Sequence, residues 1–270
     1  MKQIVVATDL SERSDRAIER ALRLSLELNA ACTVASVVDD SLPEELASDL
    51  KASATKRLRE LLDAHKGKAA EVDVRAGDVT AGVLGVAEEF QADLLVLGMH
   101  RRRVFMDSVR ETTMERIVAM SRQPVLLVRD PVNAAYAKAL VAVSYSRACA
   151  SALTATGRIA PGAEVSAFHA LHVPFTGLTR GDSSDFERAV RHEAEELSRD
   201  WQAANSVPGG PPEIITGSIH QVLDRMIHNV QPDLLVIGAH TRSIPGLHRI
   251  GAFAAELIRD PPVDLVVVRS

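Results

Sequence analysis

The chain has 270 residues, a formal net charge of −5, and 46% hydrophobic and 25% charged residues, the balance of a folded globular protein rather than a disordered one. An acidic balance gives no electrostatic case for nucleic acid, and 3% aromatics is too few for base-stacking platforms. No apolar stretch approaches the roughly 18 residues needed to span a bilayer, and no signal-like segment precedes the first expected strand at residue 3 or 4, so the expected protein is cytoplasmic with no membrane partner.

Ile4-Val5-Val6-Ala7-Thr8-Asp9 opens the chain with an unbroken apolar run, the mark of a strand covered on both faces in a parallel sheet. An amphipathic helix follows over residues 14–29, with Ile18, Ala21, Leu22, Leu24 and Leu28 on one face and Arg16, Glu19, Arg20, Arg23 and Glu27 on the other. The next strand contains Cys32. A second helix over residues 42–65 carries Leu46, Leu50, Leu58 and Leu62 on one face. A third follows Gly77 with Val83, Leu84, Val86, Ala87 and Phe90, and leads into the strand that begins near Asp93. A fourth runs over residues 112–120, and Pro124-Val125-Leu126-Leu127-Val128-Arg129 closes a β-α-β-α-β-α-β-α-β series.

The series then starts again. Ala92-Asp93-Leu94-Leu95-Val96-Leu97-Gly98-Met99-His100 reappears as Pro232-Asp233-Leu234-Leu235-Val236-Ile237-Gly238-Ala239-His240, an offset of 140 residues between Gly98 and Gly238. The opening runs are 135 apart (Ile4 to Ala139) and the closing ones 140, so the second copy holds about five extra residues; these fall in residues 174–185, where Pro, Gly, Thr, Ser and Asp cluster as in a surface loop. The copy continues with a strand over residues 165–172, a helix holding Phe186, Val190, Leu197 and Trp201, a strand ending at Thr216-Gly217, and a helix with Val222, Leu223, Met226 and Ile227. Its first helix differs from its counterpart: residues 148–157 bear no charge. Such a stretch either lies against another helix at an interdomain or intersubunit contact, or is a helix of short side chains with little to hide. Cys32 and Cys149 have no C-x-x-C spacing and read as small buried hydrophobes. The expected organisation is a domain over residues 1–131, a linker over 132–137 and a second domain over 138–270. The fold class is α/β: two tandem doubly wound parallel five-stranded sheets with helices on both faces.

In such sheets ligands bind beyond the carboxyl ends of the strands, where the winding direction switches. This directs attention to the turns after the first and fourth strands. Gly98, Arg101 and Glu111-Thr112 mark the fourth-strand turn, Gly238, Thr241 and Gly251-Ala252 repeat its register, and Ala7-Thr8-Asp9 ends the first strand. In that spacing, and through residues 112–118 and 124–128, nearly the whole chain resembles a tandem member of the universal stress protein family. The resemblance implies a Rossmann-like fold of the adenine-nucleotide alpha-hydrolase kind and, in members that bind ATP, glycines and a hydroxyl around the phosphates at a helix start. Carried residue by residue, it implies a nucleotide site at Ala7, Asp9, Gly98, His100, Arg101 and Thr112, with a degenerate second one at Gly238, His240 and Gly251.

The departures have physical meaning. Arg101 and Glu111 stand where the family has glycines, and in the second copy Ser144 replaces the aspartate, Thr241 a glycine and Ala252 the hydroxyl residue. A carboxylate at Glu111 repels phosphate unless it turns away or is compensated by Arg101, Arg102 and Arg103, a triplet that reads first as a solvated loop and second as a phosphate clamp. His100 and His240 read as structural histidines before ligand contacts. His169 and His172 fall on opposite sides of a strand, unsuited to sharing a metal. His192-Glu193 lacks the second histidine of a zinc protease, no G-x-S-x-G elbow or G-x-x-x-x-G-K-[ST] loop occurs, and Gly246 after Pro245 marks a turn. The leading expectation is a non-enzymatic stress-response protein that binds or senses ATP in its first domain. The alternatives are a ligand-free interaction scaffold and a weak ATP hydrolase using Asp9, Glu111 and His100; a small metabolite in the crevice is neither supported nor excluded, and a metal is left open. As in the dimers of the family, residues 125–128 and 265–268 are expected to lie side by side within one chain, and a homo-oligomer is the expected assembly.

Overall fold

Each half begins with a strand that is apolar on both faces and ends where polar residues let the chain turn. The computed structural model describes residues 1–41, 43–64, 70–99, 112–173, 183–205, 210–239, 241–244 and 247–269. The first half runs β1 (Gln3–Ala7), α1 (Glu12–Leu28), β2 (Ala31–Val38), α2 (Glu44–Ala64), β3 (Glu71–Ala76), α3 (Val79–Glu89), β4 (Leu94–Gly98), α4 (Thr113–Met120) and β5 (Val125–Val128). The second runs β6 (Lys138–Ala142), α5 (Arg147–Ile159), β7 (Glu164–Leu171), α6 (Ser183–Asn205), β8 (Glu213–Thr216), α7 (Ile219–Val230), β9 (Leu234–Ala239), β10 (Thr241–Ile244), β11 (Leu247–Ile250), α8 (Ala252–Arg259) and β12 (Asp264–Arg269). Helix starts follow side-chain chemistry: Ser11, Asp78, Ser146 and Ser218 each accept the backbone N–H three residues on, which satisfies an amide the helix leaves open.

The strand order β3-β2-β1-β4-β5 in the first half is repeated as β8-β7-β6-β9-β12 in the second. Within each of these five-strand sets the pairing is parallel throughout. The seam is different: β5 and β12 pair antiparallel, Leu126 opposite Val266. The two five-stranded units therefore merge, edge to edge, into one ten-stranded sheet, because the last strand of each would otherwise present unpaired backbone amides and carbonyls. One face is covered by α1, α2, α5 and α6, the other by α3, α4, α7 and α8. Equivalent helices sit on the same face while the strands at the seam oppose one another, so the halves are related by an approximate two-fold axis normal to the sheet. The carboxyl ends of their strands point in opposite directions, and the two candidate crevices lie at opposite ends of the molecule.

The connection between halves is held by a buried charge. The Asp264 side chain is 1% exposed; Oδ2 accepts from the Tyr136 hydroxyl at 2.6 Å, and Oδ1 accepts from the backbone N–H of Arg129 at 2.8 Å and of Asp130 at 3.1 Å. Arg20, from α1 of the other half, places Nε 3.4 Å from Oδ2, stacks its guanidinium 4.1 Å above the Tyr136 ring and donates through Nη1 to the Ala134 carbonyl. Burial pushes the Asp264 carboxyl up from the ordinary range, against the pull of the Tyr136, Asp130 and Arg129 hydrogen bonds and the Arg20 charge. At either end of the seam an arginine reaches across: Arg129, just after β5, donates to the Pro262 carbonyl, and Arg269, the last residue of β12, to that of Ser121.

Three expectations need correction. Of the apolar face expected on α2, Leu58 and Leu62 are buried, but Leu46 is 47% and Leu50 42% exposed. A 21-residue helix is about 31 Å long and the six-residue strand β3 about 20 Å, so the first turns of α2 overhang the sheet. For the same reason Phe186, near the start of α6, stands exposed; Leu197 is exposed too, but on the outer side of a stretch whose Ala194, Ser198 and Trp201 are buried. The uncharged helix, now α5, packs on β9 and β12 of its own half with Ala148, Cys149, Ala152 and Leu153 inward. Cys32 and Cys149 are both buried. The segment expected to carry the extra residues falls mostly on residues 174–182, outside the described residues, and 183–185 already belong to α6. The antiparallel hairpin β10–β11 was not anticipated; Ile244 pairs with Leu247, and the Pro245-Gly246 turn between them lies outside the described residues.

Candidate functional site

In the first half the chain leaves β1 toward β2 on one side and β4 toward β5 on the other, so the switch point lies between β1 and β4. Ala7, the last residue of β1, is paired with Leu97, and Gly98 ends β4 one residue further along. Beyond Ala7, the Thr8 hydroxyl is buried against that of Ser14 at 2.7 Å. Asp9 is exposed at the mouth of the crevice, and its Oδ1 accepts from the Ser11 N–H at 3.1 Å and hydroxyl at 2.7 Å. Leu10 is forced to φ +64, a left-handed conformation unfavourable for a leucine, which aims the turn into α1.

Thr112 caps α4, the helix at the fourth-strand turn. Its hydroxyl accepts from the Glu115 N–H at 3.1 Å, while Glu115 Oε2 accepts the Thr112 N–H at 2.7 Å. Glu115 is 3% exposed, and its other oxygen, Oε1, lies 2.9 Å from Arg259 Nη2 in α8 of the other half. The carboxylate that meets the positive end of this helix is therefore Glu115 from inside the first turn. The Thr113 and Met114 amides make no hydrogen bond among the described residues, so an anion would find two donors there rather than the usual set. His100, Arg101, Arg102, Arg103 and Glu111 lie outside the described residues. Glu115 escaped the sequence reading although Thr112-Thr113-Met114-Glu115 has the spacing of a capping box.

The second half keeps the backbone of this site and changes its filling. Ala142 ends β6 opposite Ile237 of β9, Ser144 is exposed, and Tyr145 at φ +56 repeats the left-handed turn of Leu10. The Tyr145 ring lies 4.4 Å from the His169 imidazole and meets Trp201 edge-on at 5.8 Å. His169 Nδ1 is 2.8 Å from the Val143 carbonyl and so carries the proton; Trp201 Nε1 donates to the Ser146 carbonyl at 2.9 Å. By strand register the first half has Leu10 and Ser36 where the second has Tyr145 and His169. Gly238 is the penultimate residue of β9, and a Cβ there would lie 2.6 Å from both the Ala148 carbonyl carbon and the Cys149 nitrogen. A glycine is required at that position for α5 to approach the sheet. Gly251 caps α8 with no side-chain hydrogen bond and open space around it, and His240 lies outside the described residues.

Burial pushes the His169 pKa below the ordinary histidine value, with the Val143 carbonyl bond working the other way. The unfolded chain then binds a proton more readily than the native one, so stability present above the ordinary histidine range is lost as pH falls through it. Urea midpoints measured from about pH 7.5 to about pH 5 should fall more steeply for the native sequence than for His169→Gln; parallel curves would remove His169 from the account.

Among the described residues no group of three or more His, Cys, Asp or Glu is placed to hold a metal ion, and no helix is long and apolar enough to cross a membrane. The model of the universal stress protein family matches the chain twice, over residues 1–129 and 135–269. The chain belongs to the universal stress protein family. Universal stress protein A homolog 1 of Coxiella burnetii is 30% identical over 110 residues, covering 37% of this chain and 76% of that protein. Two solved structures follow the fold along nearly the whole length. The universal stress protein of Archaeoglobus fulgidus has a TM-score of 0.68 at 15% identity, covering 99% of this chain and 98% of that one. The functionally unknown protein PA1789 of Pseudomonas aeruginosa has 0.68 at 14% identity, with 100% and 92% covered. At such identities the universal stress protein fold is what these two structures share with this chain.

Proposed function

We propose that this tandem universal stress protein is a non-catalytic, cytoplasmic stress-response protein that takes one adenine nucleotide per chain, in the crevice between β1 and β4. The asymmetry between the halves carries the reading: Tyr145, His169 and Trp201 pack on one another beyond the end of β6, whereas the first half has Leu10 and Ser36 at the places of Tyr145 and His169 and an exposed Asp9 at the mouth of its crevice. In this reading residues 1–131 form the binding domain, 132–137 the linker and 138–270 a partner domain. Ala7, Asp9 and Gly98 line the nucleoside end, and His100, Arg101 and Thr112 the phosphate end. Gly238, His240 and Gly251 are relics of the second site. ATP is the leading candidate, and no residue set is assigned to a metal. A homo-oligomer would need surfaces other than β5 and β12, whose edges are already paired.

A second reading, the ligand-free interaction scaffold, draws on the Thr112–Glu115–Arg259 arrangement, which commits the α4 amino end to contacts within the chain. Equilibrium titration with labelled ATP separates the two. Micromolar binding at one per chain, about −8 kcal/mol, lost in Asp9→Ala and kept in Ser144→Ala supports the nucleotide reading. No saturation at about millimolar ATP, about −4 kcal/mol, leaves the scaffold.

A further inference from the structure

We propose that the cleft between α5 and the amino-terminal edge of the first half is a binding site for a small oligophosphate, separate from both strand-end crevices. The cleft has a volume of about 530 Å³, enough for a nucleotide-sized anion. Arg147, Ser151, Thr154 and Arg158 of α5 line one side, Arg269 at the end of β12 adds a third guanidinium, and Asp93 comes from the first half. Asp9, Ser144, Gly238 and Gly251 take no part in its lining.

Three observations converge on an anion. First, in a protein of net charge −5, three arginines meet one carboxylate in a single concavity. Second, that carboxylate is already engaged. Asp93 Oδ2 accepts the backbone N–H groups of Lys2 and Gln3, and although burial works against it, these bonds and the Arg158 charge hold its pKa below the ordinary range. Third, Arg147 and Arg158 are exposed and make no hydrogen bond or salt bridge among the described residues. The contrast with α1 is informative. The solvent side of α1 carries Glu12, Arg16, Glu19, Arg23 and Glu27, with Arg23 paired to Glu27, whereas α5 has no acidic residue at all between its two arginines. Arginines whose one carboxylate neighbour in the cleft, Asp93, is already engaged by backbone amides make an arrangement that a phosphate chain completes.

The spacing selects the length of the ligand. Arg147 and Arg158 are eleven positions apart, about 16 Å along the helix. A single phosphate cannot meet both fully, while a chain of phosphates can run between them past the Ser151 hydroxyl, with Arg269 near the Arg147 end. The shared chemistry is a linear polyanion, whether a free oligophosphate or the tail of a nucleotide.

Calorimetric titration of the full chain with inorganic tripolyphosphate at low ionic strength tests the site. Saturable binding is expected, weakened about tenfold by Arg147→Ala and again by Arg158→Ala, the loss of one charge-assisted hydrogen bond each. Thr154→Trp, which fills the cleft without altering charge, should also weaken it about tenfold or more. Asp9→Ala should leave it unchanged, whether or not that variant loses ATP, which keeps this site and the strand-end crevice distinguishable. Absence of saturation in the native sequence, or unchanged affinity in both arginine variants, overturns the proposal. ATP weakened by the arginine variants but not by Asp9→Ala would identify the nucleotide tail as the source of the anion.

Discussion

Replacing Asp264 by alanine is expected to lower the unfolding free energy by about 3–5 kcal/mol, the cost of removing one partner from a buried ion pair. The substitution leaves the Arg20 guanidinium buried without its counter-charge, the Tyr136 hydroxyl without an acceptor, and the Arg129 and Asp130 amides without theirs. Each of these groups was desolvated on the understanding that the carboxylate would meet it. Asp264→Asn keeps the shape and one acceptor but not the charge, and should fall between the native sequence and the alanine variant. Because Arg20 belongs to the first half and Asp264 to the second, the loss should appear as reduced coupling between halves, seen as a broadened or divided urea transition. A midpoint shift worth less than about 1 kcal/mol in the alanine variant would sink the idea that this carboxylate holds the junction.

Gly238→Ala is the second large effect, expected at about 3 kcal/mol. Most overpacking is relieved by flexible side chains, but here the new methyl would stand 2.6 Å from backbone atoms of Ala148 and Cys149 and only movement of α5 can relieve it. That movement would disturb Ser146, which caps α5 and whose carbonyl anchors Trp201, and with it the ring cluster on Tyr145 and His169. Gly251→Ala is the matched control: open space surrounds that glycine, and a change within about 1 kcal/mol is expected. Denaturant midpoints of the two variants compared side by side check the claim, and equal stabilities would show that α5 has room to give.

Both effects bear on how the sequence is to be read. Gly238 repeats Gly98 in a ligand-binding pattern, and the pattern alone suggests a phosphate role; the geometry supplies a packing reason that applies to Gly238 whatever binds. Thr112 likewise reads as a phosphate donor by its place after the fourth strand, and in the fold it exchanges hydrogen bonds with Glu115 three residues on. That exchange was legible in principle, since a capping box is a local pattern. The Arg259 contact that holds Glu115 from 144 positions away was not.

What the amino-acid sequence determined by itself is everything that depends on near neighbours or on repetition. Unbroken Val, Ile and Leu runs such as Ile4–Val6 and Leu94–Leu97 specify strands buried on both faces, since only a covered parallel sheet accommodates them. Helical spacing and side-chain caps set the helices between them, and the 140-residue echo of Gly98 in Gly238 specifies two copies of one unit. Only the tertiary structure decided which apolar positions stay wet, as Leu46 and Phe186 do where a long helix overhangs a short strand, and which distant groups share a site. Arg20 with Asp264, Tyr145 with Trp201, and Arg158 with Asp93 are brought together by the crossovers and the antiparallel seam. Their energies depend on burial and on distances across the fold, quantities that no local pattern of residues encodes.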